Sequence, residues 1–88
     1  MRILLIEDEA EVASYILNGL AQFGHVVEHV ADGREGVVLA TTGSYNALVI
    51  DLMLPGLDGL RVLKTLRGAG VETPALILTA RASVPDRV

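Results

Sequence analysis

The sequence predicts an α/β fold in which a parallel sheet is covered by helices on both faces. Apolar runs of strand length recur at residues 2–6, 26–30, 47–51 and 75–79, and helical patterns lie between them. The run 47–51 is apolar up to its last residue, which is typical of a strand buried on both faces. Right-handed crossovers then produce the order β-α-β-α-β-α-β with short loops.

Length and composition narrow the class of protein further. The 88 residues make one small domain, 51% of them hydrophobic and 3% aromatic, without cysteine and with a net charge of −4. The absence of cysteine rules out disulfides, a thiolate nucleophile and zinc–thiolate clusters, and it agrees with a cytoplasmic location. An acidic chain is poorly suited to grip nucleic acid directly. No apolar run is long enough for a membrane span, and the start of the chain does not resemble a signal peptide.

The first predicted helix runs from about Ala10 to Phe23 and ends at Gly24. Its apolar residues follow helical spacing, which predicts a buried face: Val12, Ile16, Leu20 and Phe23. Tyr15 and Tyr45 are also interpreted as packing residues. The strand that follows is the most polar of the four, which predicts a position at an edge of the sheet.

The second predicted helix follows Asp32-Gly33 and extends through Ala40. The third covers Leu60 to Arg67, with Asp58 as its expected N-cap. Its leucines at helical spacing are the predicted buried side, and they are Leu60, Leu63 and Leu66. Thr73-Pro74 then leads into the last strand, residues 75–79.

Acidic residues follow two of the predicted strands at the point where each strand ends. Glu7 and Asp8 come directly after the first strand, and Asp51 ends the third. The carboxyl ends of parallel strands form the edge at which α/β proteins bind ligands. Carboxylates gathered there repel one another unless a cation is present, and oxygen ligands suit Mg²⁺. We therefore predict a magnesium site formed by Glu7, Asp8 and Asp51.

A carboxylate beside such a metal is able to attack a phosphoryl group and form an acyl phosphate. Phosphoryl transfer depends mainly on in-line positioning and on neutralised oxygens, so acidic residues, a metal and a few donors suffice. Thr79, at the end of the fourth predicted strand, would offer a hydroxyl to one phosphoryl oxygen.

Three motifs together resemble the receiver domain of bacterial two-component response regulators, of the kind fused to a winged-helix DNA-binding domain. The motifs are residues 3–9 (ILLIEDE), residues 48–59 (LVIDLMLPGLDG) and residues 74–80 (PALILTA). The resemblance extends over all 88 residues and implies a flavodoxin-like doubly wound sheet with strand order 2-1-3-4-5. Each motif alone would be weak, and the combination is specific.

The resemblance also implies roles for individual residues. Asp51 would be the phospho-acceptor, and Glu7 and Asp8 would form the acidic pocket for Mg²⁺. The backbone carbonyl of Met53 would be a further metal ligand, and Thr79 would be the hydroxyl that follows the phosphoryl group on activation. The implied donor is the phosphohistidine of a histidine kinase, and DNA would be bound only through a C-terminal domain outside these residues. The protein would be a signalling switch in a phosphorelay, not an enzyme in the usual sense.

Two departures from the family pattern stand out. The first pocket position, where aspartate is frequent, is Glu7, a longer side chain that should be tolerated. The family also has a fifth strand ending in lysine, flanked by helices, whereas the only lysine here is Lys64, inside the third predicted helix. We therefore expect residues 1–88 to be the N-terminal part of a receiver domain, impaired in phosphorylation because this cation is missing.

A fourth strand without a neighbour would leave an apolar edge open to pairing with another chain. The first helix would lose its neighbour on the same face, so that Val12, Ile16 and Leu20 would be uncovered. We expect either that the chain self-associates through the fourth strand and the first helix, or that it is cut from a longer protein.

Two other functions fit the same residues less well. A Mg²⁺-dependent phosphohydrolase with an aspartate nucleophile usually carries a second acid two residues later, and here that residue is Met53. A non-phosphorylated module that keeps the fold only to dimerise would respond to neither Mg²⁺ nor beryllofluoride. His25 and His29 share one face of the second strand, and solvent exposure is expected for both.

Overall fold

A computed structural model describes residues 1–78 and contains four parallel strands and three helices in the predicted order. The strands are β1 (Arg2–Ile6), β2 (Val26–Val30), β3 (Ala47–Asp51) and β4 (Ala75–Leu78). The helices are α1 (Ala10–Ala21), α2 (Gly33–Thr42) and α3 (Gly59–Gly68). The predicted α/β class is confirmed, and α1 ends two residues before its predicted limit. Within residues 1–78, no helix combines the length and the apolar character that a membrane span requires.

The sheet has the strand order β2-β1-β3-β4, which agrees with the order that the family resemblance implies and leaves the polar β2 at an edge as predicted. The register aligns the ends of the strands: Ile6 of β1 lies opposite Val30 of β2 and Ile50 of β3. Because the strands end level with one another, the residues that follow β1 and β3 leave the sheet side by side.

One face of the sheet carries the main hydrophobic core, beneath α2 and α3. Leu4 and Ile6 of β1 and Leu48 and Ile50 of β3 are at most 1% exposed. They form one cluster with side chains from the helices and the loop, which are Ala40, Leu54, Val62 and Leu66. Burial of each large aliphatic side chain contributes about 1.5–3 kcal/mol to folding, so this cluster fixes β1 and β3 against the two helices.

The opposite face of the sheet is covered more thinly, by α1. Ala13 is the only residue of α1 that is fully buried among the described residues, while Ile16 and Leu20 are half-buried. Tyr15 and Phe23 are 82% and 79% exposed, so their interpretation as packing residues was wrong for the described part of the chain. The uncovered apolar surface agrees with the expectation that α1 lacks a neighbour on this face.

The buried side of α3 differs from the prediction. Leu66 is buried as predicted and Leu63 is half-buried, but Leu60 is 51% exposed, and Val62, which was not predicted, is completely buried. The helix begins at Gly59, whose backbone N–H donates to the carbonyl of Leu52 at 2.9 Å, and this contact turns residues 59, 62 and 66 toward the core. Leucine spacing alone placed the first two positions of the stripe one residue too late, because it ignored how the helix start is fixed.

Aspartates cap two of the helices. The Asp32 carboxylate accepts a hydrogen bond from the N–H of Glu35 at 3.2 Å, and that of Asp58 accepts from the N–H of Arg61 at 3.0 Å. Each bond satisfies a backbone donor that the first turn of a helix leaves free. The predicted N-cap at Asp58 is thus confirmed, and both carboxylates are engaged in local structure.

A cluster of polar side chains links neighbouring segments at the amino-terminal edge of the sheet. Arg2 lies 3.1 Å from the Glu28 carboxylate and stacks over the ring of Tyr45 at 4.9 Å from its centroid. The Tyr45 hydroxyl donates to the second oxygen of Glu28, and these two contacts hold the pKa of Glu28 below its ordinary value, the tyrosine bond being the larger cause. Side chains from β1, from β2 and from the loop before β3 are therefore linked where no ligand is expected.

We predict that Tyr45→Phe destabilises the protein more at pH 7 than at pH 3. A carboxyl whose folded-state pKa is lowered contributes stability above its unfolded pKa and loses that contribution as the pH falls through the folded value. Urea unfolding at the two pH values measures the difference.

Tyr15→Phe is the matched control, because Tyr15 is 82% exposed. It should change stability little at either pH. An equal loss for Tyr45→Phe at pH 7 and pH 3 would contradict the role given to Glu28.

Candidate functional site

Three carboxylates meet at the carboxyl edge of the sheet. Oxygens of Glu7, Asp8 and Asp51 all lie within 4.8 Å of one another. Glu7 and Asp8 follow β1 and Asp51 ends β3, so the level register of these two neighbouring strands brings the side chains together. Glu7 is 3% exposed, Asp51 is half-buried and Asp8 is exposed, so the cluster extends from the core to the solvent.

The backbone around Glu7 is held from two sides. Its N–H donates to the carbonyl of Val30 at 3.0 Å, which extends the pairing of β1 with β2. Its own carbonyl accepts a hydrogen bond from Nε2 of His29 at 2.7 Å. The Glu7 carboxylate accepts a further bond from the N–H of Glu9 at 3.0 Å, just ahead of α1. The most buried carboxylate of the site is thus fixed by β2 and by the start of a helix.

Burial raises the pKa of Glu7 above its ordinary value, because the charged form loses its hydration. The hydrogen bond from Glu9 opposes this shift, and the neighbouring Asp51 and Asp8 carboxylates reinforce it by repulsion. A side-chain interaction with Asp51 raises the pKa of Glu7 further. At neutral pH the cluster is therefore stabilised by any proton or cation that lies between these side chains.

Asp51 leads into a loop of residues 52–58, called here the acceptor loop. One Asp51 carboxylate oxygen accepts from the N–H of Met53 at 3.2 Å, and the N–H of Leu52 donates to the carbonyl of Leu78 in β4 at 2.7 Å. Met53 is 67% exposed and borders an open cleft of about 520 Å³ that Asp8 borders as well. Solvent and small ions thus have direct access to the acidic cluster.

The spacing of the three carboxylates suits a small divalent cation. Two oxygens on opposite sides of one Mg²⁺ are roughly 4 Å apart, twice the Mg–O distance, so modest side-chain rotations bring oxygens 4.8 Å apart into range. The donors are all hard oxygens, with neither sulfur nor an imidazole nitrogen among them. This donor set fits Mg²⁺ better than zinc or copper.

The predicted site residues outside the acidic cluster are Thr79 and the backbone carbonyl of Met53. Thr79 lies outside the described residues. Lys64, which was not expected to reach the site, is exposed on α3. The backbone carbonyl of Met53 belongs to the acceptor loop, next to the cluster.

Sequence reasoning missed two features of the site. His29 is exposed as expected, and its imidazole also supports the backbone of Glu7, which was not predicted. The N–H of Glu9 supports the side chain of Glu7. The first contact follows from the register of β1 and β2, which the sequence does not specify. The second could have been found from the acid three residues before the expected helix start.

Comparison with known proteins agrees with this arrangement. The family model of the response regulator receiver domain matches residues 3–88. The transcriptional regulatory protein HprR of Escherichia coli is 48% identical over the whole chain, and TcrA of Mycobacterium tuberculosis is 47% identical. The chain spans 39% and 35% of the length of these two relatives.

Solved structures show the same fold. The receiver domain of the Francisella response regulator 1452 superimposes with a TM-score of 0.88 at 34% identity, covering 97% of this chain and 70% of that one. The receiver domain of the sensor histidine kinase PA1611 of Pseudomonas aeruginosa, solved with a magnesium ion coordinated in its active-site cleft, gives 0.87 at 36% identity, covering 98% and 72%. The chain belongs to the family of response regulator receiver domains.

Proposed function

We propose that this chain is the phospho-acceptor part of a two-component response regulator, in which Asp51 takes a phosphoryl group from a histidine kinase with the help of Mg²⁺. The observation that carries the proposal is the convergence of Glu7, Asp8 and Asp51 within 4.8 Å at the carboxyl edge of the sheet. Residues 1–88 would form the N-terminal part of the receiver domain.

In the proposed reaction an Asp51 carboxylate oxygen attacks the phosphorus of a phosphohistidine. The new O–P bond makes an acyl phosphate, and the P–N bond to the imidazole breaks, leaving its electron pair on the nitrogen of the donor. Bound Mg²⁺ would neutralise phosphoryl oxygens during the transfer. Glu7, Asp8, Asp51 and the backbone carbonyl of Met53 would hold the ion, and Thr79 would contact the transferred group.

Support for magnesium comes from the chemistry of the pocket. A buried carboxylate with a raised pKa beside two other acids is unfavourable at neutral pH unless a cation compensates. Mg²⁺ is usually held by one or two carboxylates with water and phosphate oxygens, which matches a cluster open to solvent at Asp8. The 36% identical receiver domain of PA1611 coordinates a magnesium ion in its active-site cleft.

The side chain of Met53 argues against a phosphohydrolase. In such enzymes the residue two positions after the nucleophile is usually an acid that protonates the leaving group. Met53 has no ionisable group at that place and is largely exposed to solvent. We therefore favour an acceptor that signals over an enzyme that turns over phosphate esters.

The output is proposed from the relatives. HprR and TcrA are named as transcriptional regulatory proteins, and this chain covers less than two fifths of either. We propose that phosphorylation shifts a two-state equilibrium in the parent protein, which a C-terminal DNA-binding domain reads. The protein would act in the cytoplasm, where kinase and DNA are both accessible.

The first test is phosphorylation by acetyl phosphate with Mg²⁺, followed by intact-mass measurement. Because residues 1–88 lack the family's lysine on the fifth strand, the chain is tested alone and as a chimera continued with the C-terminal part of the HprR receiver domain. We expect the chimera to be labelled and the 88-residue chain to be labelled much more slowly. Asp51→Asn should abolish labelling of the chimera.

Asp58→Asn provides the matched control for that substitution. Asp58 is an exposed N-cap outside the cluster, and asparagine caps a helix about as well as aspartate. Labelling should survive this change. Labelling that persists in Asp51→Asn would reject the assignment of the acceptor, and equal labelling rates of chain and chimera would reject the expected impairment.

The second test uses Glu7→Gln and pH. Since the folded-state pKa of Glu7 is raised, the wild type loses stability as the pH rises from the unfolded value through the folded one. Without divalent ions, Glu7→Gln should therefore melt higher than the wild type at pH 7.5, and this advantage should shrink toward pH 4. A melting curve of the variant that lies below the wild type at pH 7.5 would contradict the electrostatic conflict.

Added Mg²⁺ should reverse the order of the two melting temperatures, so that the wild type melts higher than Glu7→Gln. At a free Mg²⁺ concentration 100 times its dissociation constant, the ion stabilises the wild type by about 2.7 kcal/mol through linkage. The variant, which has lost one charged ligand, should gain less. Thermal melts with and without Mg²⁺ measure the gain in stability of each protein. Equal gains would show that Glu7 is not a ligand of the ion.

We also propose that the 88-residue chain, taken alone, associates with a second copy through α1 and β4. Tyr15 on α1 and Phe23 just after this helix are exposed, and Leu76 of β4 is 60% exposed. Within residues 1–78, β4 pairs only with β3 and forms an edge of the sheet. An exposed apolar edge strand is a template for pairing with another chain.

Sedimentation at increasing concentration tests this association. The chain should form dimers, and Leu76→Lys should shift it toward monomers because a charge on an edge strand opposes pairing. Val38→Lys is the control, since Val38 is equally exposed, at 59%, but lies on α2. A wild-type monomer at all concentrations would rule out self-association.

A further inference from the structure

We propose that Gly33, at the start of α2, is a positioning residue for the metal site, because its missing side chain sets the place of the acceptor loop. The inference rests on the proposed function. The loop carries the Met53 carbonyl, a proposed Mg²⁺ ligand, and it is held between the first residues of α3 and those of α2.

The beginning of the loop is fixed by hydrogen bonds. The N–H of Leu52 donates to Leu78 of β4 at 2.7 Å, and the carbonyl of Leu52 accepts from Gly59 of α3 at 2.9 Å. The N–H of Met53 donates to the Asp51 carboxylate at 3.2 Å. The position of Met53 is thereby linked to both neighbouring elements.

The far end of the loop is fixed by packing against α2. The carbonyl of Leu57 lies so close to Gly33 that a Cβ at residue 33 would overlap its oxygen. The same Cβ would lie 3.1 Å from Cγ2 of Val62. Gly33 is buried, and the loop turns sharply there, with Leu57 N–H donating to the carbonyl of Pro55 at 2.9 Å. Only a residue without a side chain permits this approach.

An added methyl group at residue 33 would move the loop more easily than the helix. On its inner side α2 is held by Gly36, which lies against the Ile6 side chain in the core, and by Ala40, which belongs to the same core. In the loop, Leu54 belongs to this core as well, but Pro55 and Gly56 are exposed, so the segment next to Leu57 has less packing to hold it in place. Mg²⁺ demands near-ideal octahedral geometry, so a displaced Met53 carbonyl would weaken its binding.

Gly36 supplies the matched control. It lies in the same helix, is equally buried, and is separated from Gly33 by about one turn. A Cβ there would first meet the side chain of Ile6, which provides its three nearest atoms, Cδ1, Cγ1 and Cγ2. Gly33→Ala and Gly36→Ala are therefore expected to destabilise the fold similarly and to differ in their effect on the loop.

The test is a Mg²⁺ titration of the wild type and both variants, monitored by backbone amide NMR shifts. It is carried out well below the melting temperature of each protein. We expect Gly33→Ala to weaken Mg²⁺ binding roughly tenfold, as for other residues that orient a metal ligand, and Gly36→Ala to change it by less than about twofold. Equal dissociation constants in the two variants overturn the inference.

A second measurement needs no variant, in case Gly33→Ala does not fold. Mg²⁺ added to the wild type should shift the amide signal of Gly33, through the loop, and leave that of Gly36 in place. A Gly33 signal that stays unmoved while those of Asp51 and Met53 shift overturns the inference but not the metal site. A wild type that binds no Mg²⁺ instead overturns the proposed function itself.

Discussion

Repulsion among the carboxylates of Glu7, Asp8 and Asp51 is the constraint on which the rest of the site depends. The carboxylates cannot move apart, because β1 and β3 are paired in level register and the apolar side chains of both strands are packed in the core. Glu7 is almost completely buried, so water relieves the conflict only in part, at exposed Asp8 and half-buried Asp51. The clustered charges therefore lower the stability of the fold, and a bound cation or proton restores it.

The two edges of the sheet are arranged in opposite ways. At the amino edge Arg2 pairs with Glu28 and stacks on Tyr45, so charge is compensated within the protein. At the carboxyl edge the described residues provide only acidic groups for the cluster. The amino edge thus stabilises the strands by itself, and the carboxyl edge is left with uncompensated acids for the proposed cation.

Much of the architecture was predictable from residue patterns, and the reasons are local. Apolar runs identified β1, β3 and β4, and the acids after β1 and β3 identified the residues of the cluster. The order of the strands came from the family resemblance, since spacing does not specify which strands are neighbours. The buried face of α3 was predicted correctly at Leu66 but not at Leu60, because the rotation of the helix depends on a contact between Gly59 and Leu52 that the leucine spacing does not reveal.

The details of the site were less accessible for the same reason. The support that His29 gives to Glu7 requires the register of β2 against β1, and the close approach of Gly33 to Leu57 requires the packing of α2 on a loop distant in sequence. Both are products of tertiary structure. Neither residue stands out in the sequence, where His29 looks like a surface histidine and Gly33 like an ordinary turn residue.

The unequal covering of the two sheet faces has a consequence for motion. Within residues 1–78, α2 and α3 seal one face with a continuous core, whereas α1 buries only Ala13 fully on the other. Backbone amides of α1 should therefore exchange with deuterated solvent through partial openings, while those of β1 and β3 wait for global unfolding. Since Glu9 at the start of α1 holds the carboxylate of Glu7, each such opening also releases the innermost acid of the site.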